Sequence, residues 1–147
     1  DLSVDLSAVI MAATPDEPRV LTIHFDPQRL DALPSGPLQS QHRTLEMGLR
    51  TWVAEQTQLT LGYVEQLYTF GDRGRHARAG DTGPHIVSIG YLALMQMPRA
   101  ALAATGAAFE RWYRFFPWED WRGSRPKMRR CPPARRATAS HQVLRRK

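Results

Sequence analysis

The sequence predicts an α+β domain in which a sheet packs against one principal helix. Between Gln41 and Gln58, apolar residues recur at the spacing of one helix face. These residues are Leu45, Leu49, Trp52 and Val53. Residues 63–70 are instead rich in aromatic and β-branched types and are bounded by glycines, which is typical of a strand. A chain of 147 residues is long enough to form one domain with its own core.

Three more strands and a second helix are predicted around this pair. Asp5–Thr14 is apolar between polar residues, which predicts a buried strand. Arg19–Phe25 alternates in polarity and follows the turn Pro15–Pro18, so it should form a hairpin with the first strand. His85–Met97 predicts the next strand, and the alanine-rich stretch Ala100–Arg114 is typical of a helix.

The charged residues are unevenly distributed along the chain. All fourteen acidic residues lie at or before Asp120, so residues 1–121 carry a net charge of −4 and residues 122–147 carry +10. We expect a domain at 1–121 and a basic, disordered tail at 122–147. The tail could instead be a nucleic-acid-binding arm. Its Arg, Pro and Ala content is also what a GC-rich gene yields out of frame, so a frameshift or truncation product is a third interpretation.

Several classes of protein do not fit the composition. The single cysteine, Cys131, excludes an internal disulfide and a cysteine-only zinc site. No stretch approaches the roughly 20 apolar residues of a membrane helix. We expect no signal peptide, because the chain shows no basic n-region followed by an apolar h-region. The expected location is the cytoplasm, with no membrane partner. The first residue is Asp1 rather than Met, which predicts an incomplete or processed N-terminus.

The helix and the segments beside it carry a spaced motif. Glu55-Gln56-Thr57-Gln58-Leu59 resembles the end of the Nudix signature, G-x5-E-x7-R-E-U-x-E-E-x-G-U, where U is aliphatic. Leu33-Pro34-Ser35-Gly36 is similar to the L-P-G-G loop of that family. This alignment puts Val53 at the first aliphatic position and Gln58 at the last glycine. The resemblance implies a Nudix-like α/β/α sandwich with a mixed sheet.

A second stretch resembles one branch of that family. Glu65–Asp72 reads E-Q-L-Y-T-F-G-D and Val87–Leu94 reads V-S-I-G-Y-L-A-L, both similar to the Nudix-related transcriptional regulators of NAD metabolism. This resemblance covers about residues 3–121. It implies a nucleotide effector such as ADP-ribose and a separate DNA-binding domain, which has no counterpart here. DNA contact would need that missing domain or, weakly, the basic tail. A homodimer remains open.

The metal-binding part of the motif is degenerate. Trp52, Glu55 and Gln56 occupy its three carboxylate positions, so Glu55 alone keeps an acid. Magnesium needs several oxygen ligands that converge on one point. Glu46 lies nine residues from Glu55, on the opposite side of a helix. We therefore assign no catalytic residue and expect neither a bound metal nor a cofactor. Glu55 and Mg²⁺ are the candidates if the chain is a hydrolase, and otherwise Glu55 is an ordinary exposed glutamate.

A pocket that binds a nucleotide could be retained even where the metal-binding carboxylates are lost. Candidate ligand-binding residues are Gly36, Arg50, Tyr68, Arg73, Arg75 and Arg78. Gly36 would let a ligand approach the backbone, Tyr68 or Phe70 could stack on a base or ribose, and the arginines could pair with phosphates. Alternatively, the arginines are solvated and the aromatic residue belongs to the core. The functional hypotheses are a non-catalytic nucleotide sensor, a Nudix hydrolase of a nucleoside diphosphate linked to another moiety, and an interaction domain with an idle pocket.

Overall fold

The computed structural model describes residues 2–24, 31–72, 83, 85–98, 102 and 106–123. Within them the sheet has seven strands. In chain order the elements are β1 Leu2–Ala13, β2 Pro18–His24, β3 Asp31–Ala32, β4 Ser35–Pro37, α1 Leu45–Thr57, β5 Val64–Phe70, β6 His85–Gln96, β7 Ala107–Arg111, α2 Trp112–Phe115 and a 3-10 helix Pro117–Glu119.

Strand β1 is the centre of the sheet. It pairs with β6 in parallel along its whole length. Its other edge is divided: β4 pairs antiparallel with the first half and β2 with the second half. Strand β5 extends the sheet antiparallel to β6, and β7 continues it antiparallel beyond β2. Strand β3 pairs antiparallel with Ile23 and His24 at the end of β2. The sheet is therefore mixed, and the predicted β1–β2 hairpin is present.

One face of the sheet packs against α1 and forms the core. Along β1 the buried side chains alternate with more exposed ones, as the period of a strand requires. Leu6 of β1 lies directly below the helix, because a Cβ added to Gly48 would come within 2.9 Å of it. The core cluster consists of Leu6, Ala8, Ile10, Leu21, Ile23, Leu49, Val53, Leu61, Ile89, Tyr91, Ala93 and Ala107.

Helix α2 lies on the opposite face. Its Arg114 forms ion pairs of 2.9 Å with both Asp31 and Glu110. Glu110 is paired with Val20, one residue from the core residue Leu21, so it points away from α1. With one helix on each face, the predicted α/β/α sandwich is confirmed. Neither helix, nor any other in the described part of the chain, is long and apolar enough to cross a membrane.

The helix predicted at Ala100–Arg114 is largely wrong where it can be compared. Residues 102 and 106–114 are described, and Ala107–Arg111 forms β7, with helix only from Trp112. Gly106 has a φ of 71°, a left-handed conformation that breaks a helix and begins the strand. Pairing with β2 then puts Ala107 in the core, so tertiary contacts outweigh the helical propensity of alanine.

A buried carboxylate fastens the end of the domain. Glu17, in the turn after β1, accepts hydrogen bonds from Arg111 Nε at 2.7 and 2.9 Å, and from Arg19 at 3.3 Å. Arg122, which the sequence assigns to the tail, reaches the same carboxylate at 3.5 Å and also bonds Asp120. The hydrogen bonds from Arg122 lower the pKa of Asp120 to about 2. Residue 122 therefore packs on the domain.

Candidate functional site

The helix that carries the motif has defined ends. Thr44 caps its N-terminus, where the Thr44 hydroxyl accepts a hydrogen bond from the Met47 amide at 3.1 Å. At its other end, Gln58 has a φ of 58° and its N–H donates to the Ala54 carbonyl at 2.9 Å. Gln58 stands where the motif has a glycine, the residue that adopts this left-handed conformation at least cost. The backbone therefore supports the alignment of the motif.

Trp52, at the first degenerate carboxylate position, is a core residue bonded to β4. Its side chain is 8% exposed, and its indole N–H donates to the Pro37 carbonyl at 2.9 Å. A Cβ on Gly36 would lie 2.3 Å from the indole ring, so only glycine fits there. The missing side chain of Gly36 thus accommodates the protein's own tryptophan rather than opening a path for a ligand. A ligand contact by Gly36 stays a prediction, without that support.

Gln56, at the second degenerate position, is bonded to the same strand. Its side-chain oxygen accepts from the Ser35 amide at 3.0 Å, and its side-chain nitrogen donates to the Ser35 carbonyl at 2.7 Å. A glutamate here could accept the first bond, but when ionised it could not donate the second. The amide is therefore the group that fits both partners.

Together, Trp52 and Gln56 close the outer edge of β4. At the two ends of this segment the Pro34 carbonyl accepts from the Ala8 amide at 2.9 Å and the Leu38 amide donates to the Val4 carbonyl at 2.8 Å. Between them Gly36 pairs with Leu6 of β1. The backbone N–H and C=O of Ser35 and the C=O of Pro37 point to the other edge of β4. There they form hydrogen bonds with the side chains of Gln56 and Trp52. Pro37 has no N–H, so its carbonyl is the only group it presents. We call these three hydrogen bonds the β4 clasp.

No metal cage accompanies the clasp in the described part of the chain. There, no group of three or more His, Cys, Asp or Glu side chains is placed to hold a metal ion. Glu55 is exposed on the solvent side of α1.

Arg50 has structural partners. It is paired with the Glu46 carboxylate at 2.7 Å, and it donates to the carbonyls of Leu61 and Gly62. These bonds fasten the loop after α1 back onto the helix and occupy most of the guanidinium N–H groups. The structure therefore gives Arg50 a clamping role, which leaves little of it for the phosphate contact predicted from the sequence.

The sheet face away from α1 presents two rows of residues across β4, β1, β6 and β5. The register pairs Ser35, Ser7, Gly90 and Tyr68 in one row. It pairs Pro37, Asp5, Ser88 and Phe70 in the next. Directly paired residues point to the same side of a sheet, and none of these eight is buried. We call this surface the open face.

Tyr68 and Phe70 form one wall of the open face. Their rings are 4.8 Å apart, and Tyr68 is 62% exposed. A bulge between Gln66 and Tyr68 shifts the register, so Gln66 lies on the same side of the sheet as Tyr91 while Tyr68 points to the other side with Gly90. Tyr68 therefore lies outside the core. Of the two roles considered from the sequence, a core residue or a stacking ring, its exposed position fits the stacking ring.

The described residues on either side of the predicted arginine loop lie close together. Phe70 pairs with Ser88, and His85 Nε2 lies 2.7 Å from the Gly71 carbonyl, so Gly71 and His85 meet at the end of the β5–β6 pair. Arg73, Arg75 and Arg78 themselves lie outside the described residues. Their contact with a ligand stays a prediction.

Comparison with solved structures identifies the fold. The NUDIX domain of Shewanella oneidensis NrtR complexed with ADP ribose matches with a TM-score of 0.64 and 22% identity, over 80% of this chain and 77% of that one. NrtR complexed with a 27mer DNA matches with a TM-score of 0.59 and 25% identity, over 74% and 50%. Caenorhabditis elegans Ap4A hydrolase matches with a TM-score of 0.56 and 11% identity, over 76% and 81%.

The chain has the Nudix fold. The fold expected from the motif is thereby confirmed, and the likeness to NrtR agrees with the second resemblance. The chain spans about half of two of the NrtR chains, 52% and 50%. No family model matches the sequence. No curated protein matches it either.

The sequence alone did not indicate most of the residues of the open face. Of its members it singled out Tyr68 and, as a second stacking candidate, Phe70. The alternation Asp5-Leu6-Ser7-Ala8 was a usable signal, because its polar residues fall on one face of a strand that is otherwise apolar. Ser88 and Gly90 alternate with Ile89 and Tyr91 in the same way.

Proposed function

We propose that this chain is a non-catalytic Nudix domain that senses a nucleotide similar to ADP-ribose. The observation that carries the proposal is the β4 clasp. Two positions that supply metal-binding carboxylates in the Nudix motif are here Trp52 and Gln56, and both are bonded to β4.

Loss of those carboxylates removes the chemistry of hydrolysis. Cleavage of a diphosphate needs metal ions that polarise the phosphoryl oxygens and activate water. The glutamate left in that part of the motif, Glu55, is exposed, and one carboxylate holds Mg²⁺ weakly. Rebuilding the cage would require breaking the clasp, because Gln56 is already committed to both backbone groups of Ser35.

The open face is suited to the nucleoside part of a ligand. The hydroxyls of Ser7 and Ser88 can donate hydrogen bonds to a nucleoside and accept them from it. Tyr68 offers a ring for stacking. We place the phosphates toward the 71–84 segment, whose arginines would pair with them in place of a metal.

Regulation of transcription is the cellular role that we propose for this sensor. One NrtR structure that this chain resembles holds ADP-ribose, and another holds DNA. In this chain the nucleotide would be the effector. Sequence-specific DNA binding would depend on a domain outside it, with only weak, salt-sensitive contacts from the basic tail. A homodimer is compatible with this role.

Two experiments test the proposal. Incubation with ADP-ribose, NADH or diadenosine polyphosphates plus Mg²⁺ or Mn²⁺ should give no turnover. Hydrolysis near 1 s⁻¹ that Glu55→Gln abolishes would establish the hydrolase alternative instead. In calorimetry, Tyr68→Ala should weaken ADP-ribose binding by about 1–3 kcal/mol, the range for loss of a stacking ring. Tyr63→Ala is the matched control, because Tyr63 is exposed and precedes β5. Equal effects of the two variants would rule out stacking on Tyr68.

A further inference from the structure

The β4 clasp holds one wall of the open face. Ser35 and Pro37 contribute their side chains to the two rows of that face. Their backbone groups on the opposite edge of β4 are bonded to Gln56 and Trp52. β4 is only three residues long and is paired with β1 along one edge. The bonds from Gln56 and Trp52 hold its other edge, so they help to fix where this wall stands relative to α1.

We propose that Gln56 is a positioning residue for ligand binding. It lies on the α1 side and acts through Ser35, without touching the ligand itself. This inference rests on the proposed function, because it assumes that the nucleotide binds on the open face. It also assigns a role to one degenerate position of the motif. Where the Nudix motif has a metal ligand, this chain has Gln56, which would hold β4 as a wall of a site without a metal.

The variant Gln56→Glu isolates this role. At pH 8 its carboxylate still accepts the Ser35 amide, but two oxygens now face each other where Gln56 donated to the Ser35 carbonyl. Loss of one hydrogen bond corresponds to about a 2- to 12-fold weaker affinity. At lower pH the carboxyl gains a proton and can donate like the amide. A carboxyl held against a carbonyl has a pKa above the usual value of about 4.3, so the clasp should re-form as pH falls toward 5.

The experiment measures ADP-ribose affinity by calorimetry between pH 5 and 8, well below the melting temperature of each variant. The ratio of Kd for Gln56→Glu to Kd for wild type should be largest at pH 8 and should approach one at low pH. A merely stabilising residue would change the melting temperature and leave this ratio flat. Gln58→Glu is the matched control, because it adds the same charge two residues away at an exposed position. Its ratio should not follow this pH profile.

The outcomes separate the two proposals. If wild type binds ADP-ribose and Gln56→Glu binds equally well at every pH, the positioning role is wrong and the sensor survives. If both glutamate variants weaken binding alike, general repulsion of the phosphates explains the effect and the positioning role is again wrong. If wild type binds no ADP-ribose, the proposed function fails and takes this inference with it.

Discussion

Replacing Gly90 with valine should stabilise the protein while blocking its ligand. Gly90 lies in the middle of β6, in one row with Ser7 and Tyr68. A Cβ there would meet the Tyr68 carbonyl oxygen at 3.8 Å and Phe70 Cε2 at 4.0 Å, which are ordinary van der Waals distances. The fold therefore leaves room for a Cβ at this position. We expect the methyl groups of a valine to extend over the floor of the open face.

The expected magnitudes follow from this geometry. Glycine inside a strand costs about 0.5–1 kcal/mol relative to alanine, and valine is a favoured strand residue. We expect Gly90→Val to raise the melting temperature by about 1–8 °C, given roughly 2–8 °C per kcal/mol for domains of this range of size. The same side chain should weaken ADP-ribose binding at least about 10-fold, or 1.4 kcal/mol. Thermal melts and calorimetry on one preparation give both numbers.

Gly62→Val serves as the control. A Cβ at Gly62 would meet no atom within 4 Å, and this residue lies before β5, away from the open face. It should leave ligand affinity unchanged. If Gly90→Val binds ADP-ribose like wild type, the ligand does not use the open face. If Gly90→Val destabilises the fold, the assignment of this face as uncovered is wrong.

Three further predictions concern stability. Trp52→Phe should cost about 1 kcal/mol through the lost bond to β4, and Trp52→Ala about 3–5 kcal/mol through the added cavity, both read from urea denaturation. Truncation after residue 123 should leave the melting temperature within about a degree or two, whereas truncation after residue 121 should lower it further, because it removes Arg122 from Glu17. The depressed pKa of Asp120, about 2, means that its ion pair stabilises the fold above the unfolded value near 3.9 and is lost as pH falls toward 2. Melts of Asp120→Asn should therefore differ from wild type above pH 4 and converge near pH 2.

The sequence could predict the elements whose pattern is local. The helical stripe from Leu45 to Val53 and the alternation of Arg19–Phe25 are visible in the chain itself, and both elements formed within a few residues of the expected bounds. Strand β7 was missed because it depends on pairing with β2 after the left-handed turn at Gly106. An alanine-rich segment does not reveal such a long-range pairing.

The candidate site was less predictable for the same reason. The sequence showed that Trp52 and Gln56 stand where the motif has carboxylates, but it could not show which hydrogen bonds these two side chains form. Their partners are backbone groups 15 and 21 residues away, and backbone groups carry no sequence signal. The structural role of Arg50 was hidden for a related reason, because its hydrogen-bond partners include the carbonyls of Leu61 and Gly62. Only the folded chain distinguishes a clamp from a phosphate ligand.

The central claim is that the site binds a nucleotide without a metal, and the dependence of affinity on magnesium tests it most directly. Calorimetry with ADP-ribose should give the same Kd in millimolar Mg²⁺ and in EDTA. The ligand should also raise the melting temperature equally in both, because ligand bound to the folded state stabilises it. Binding that disappears in EDTA, or no heat at millimolar ADP-ribose in either buffer, would contradict the account.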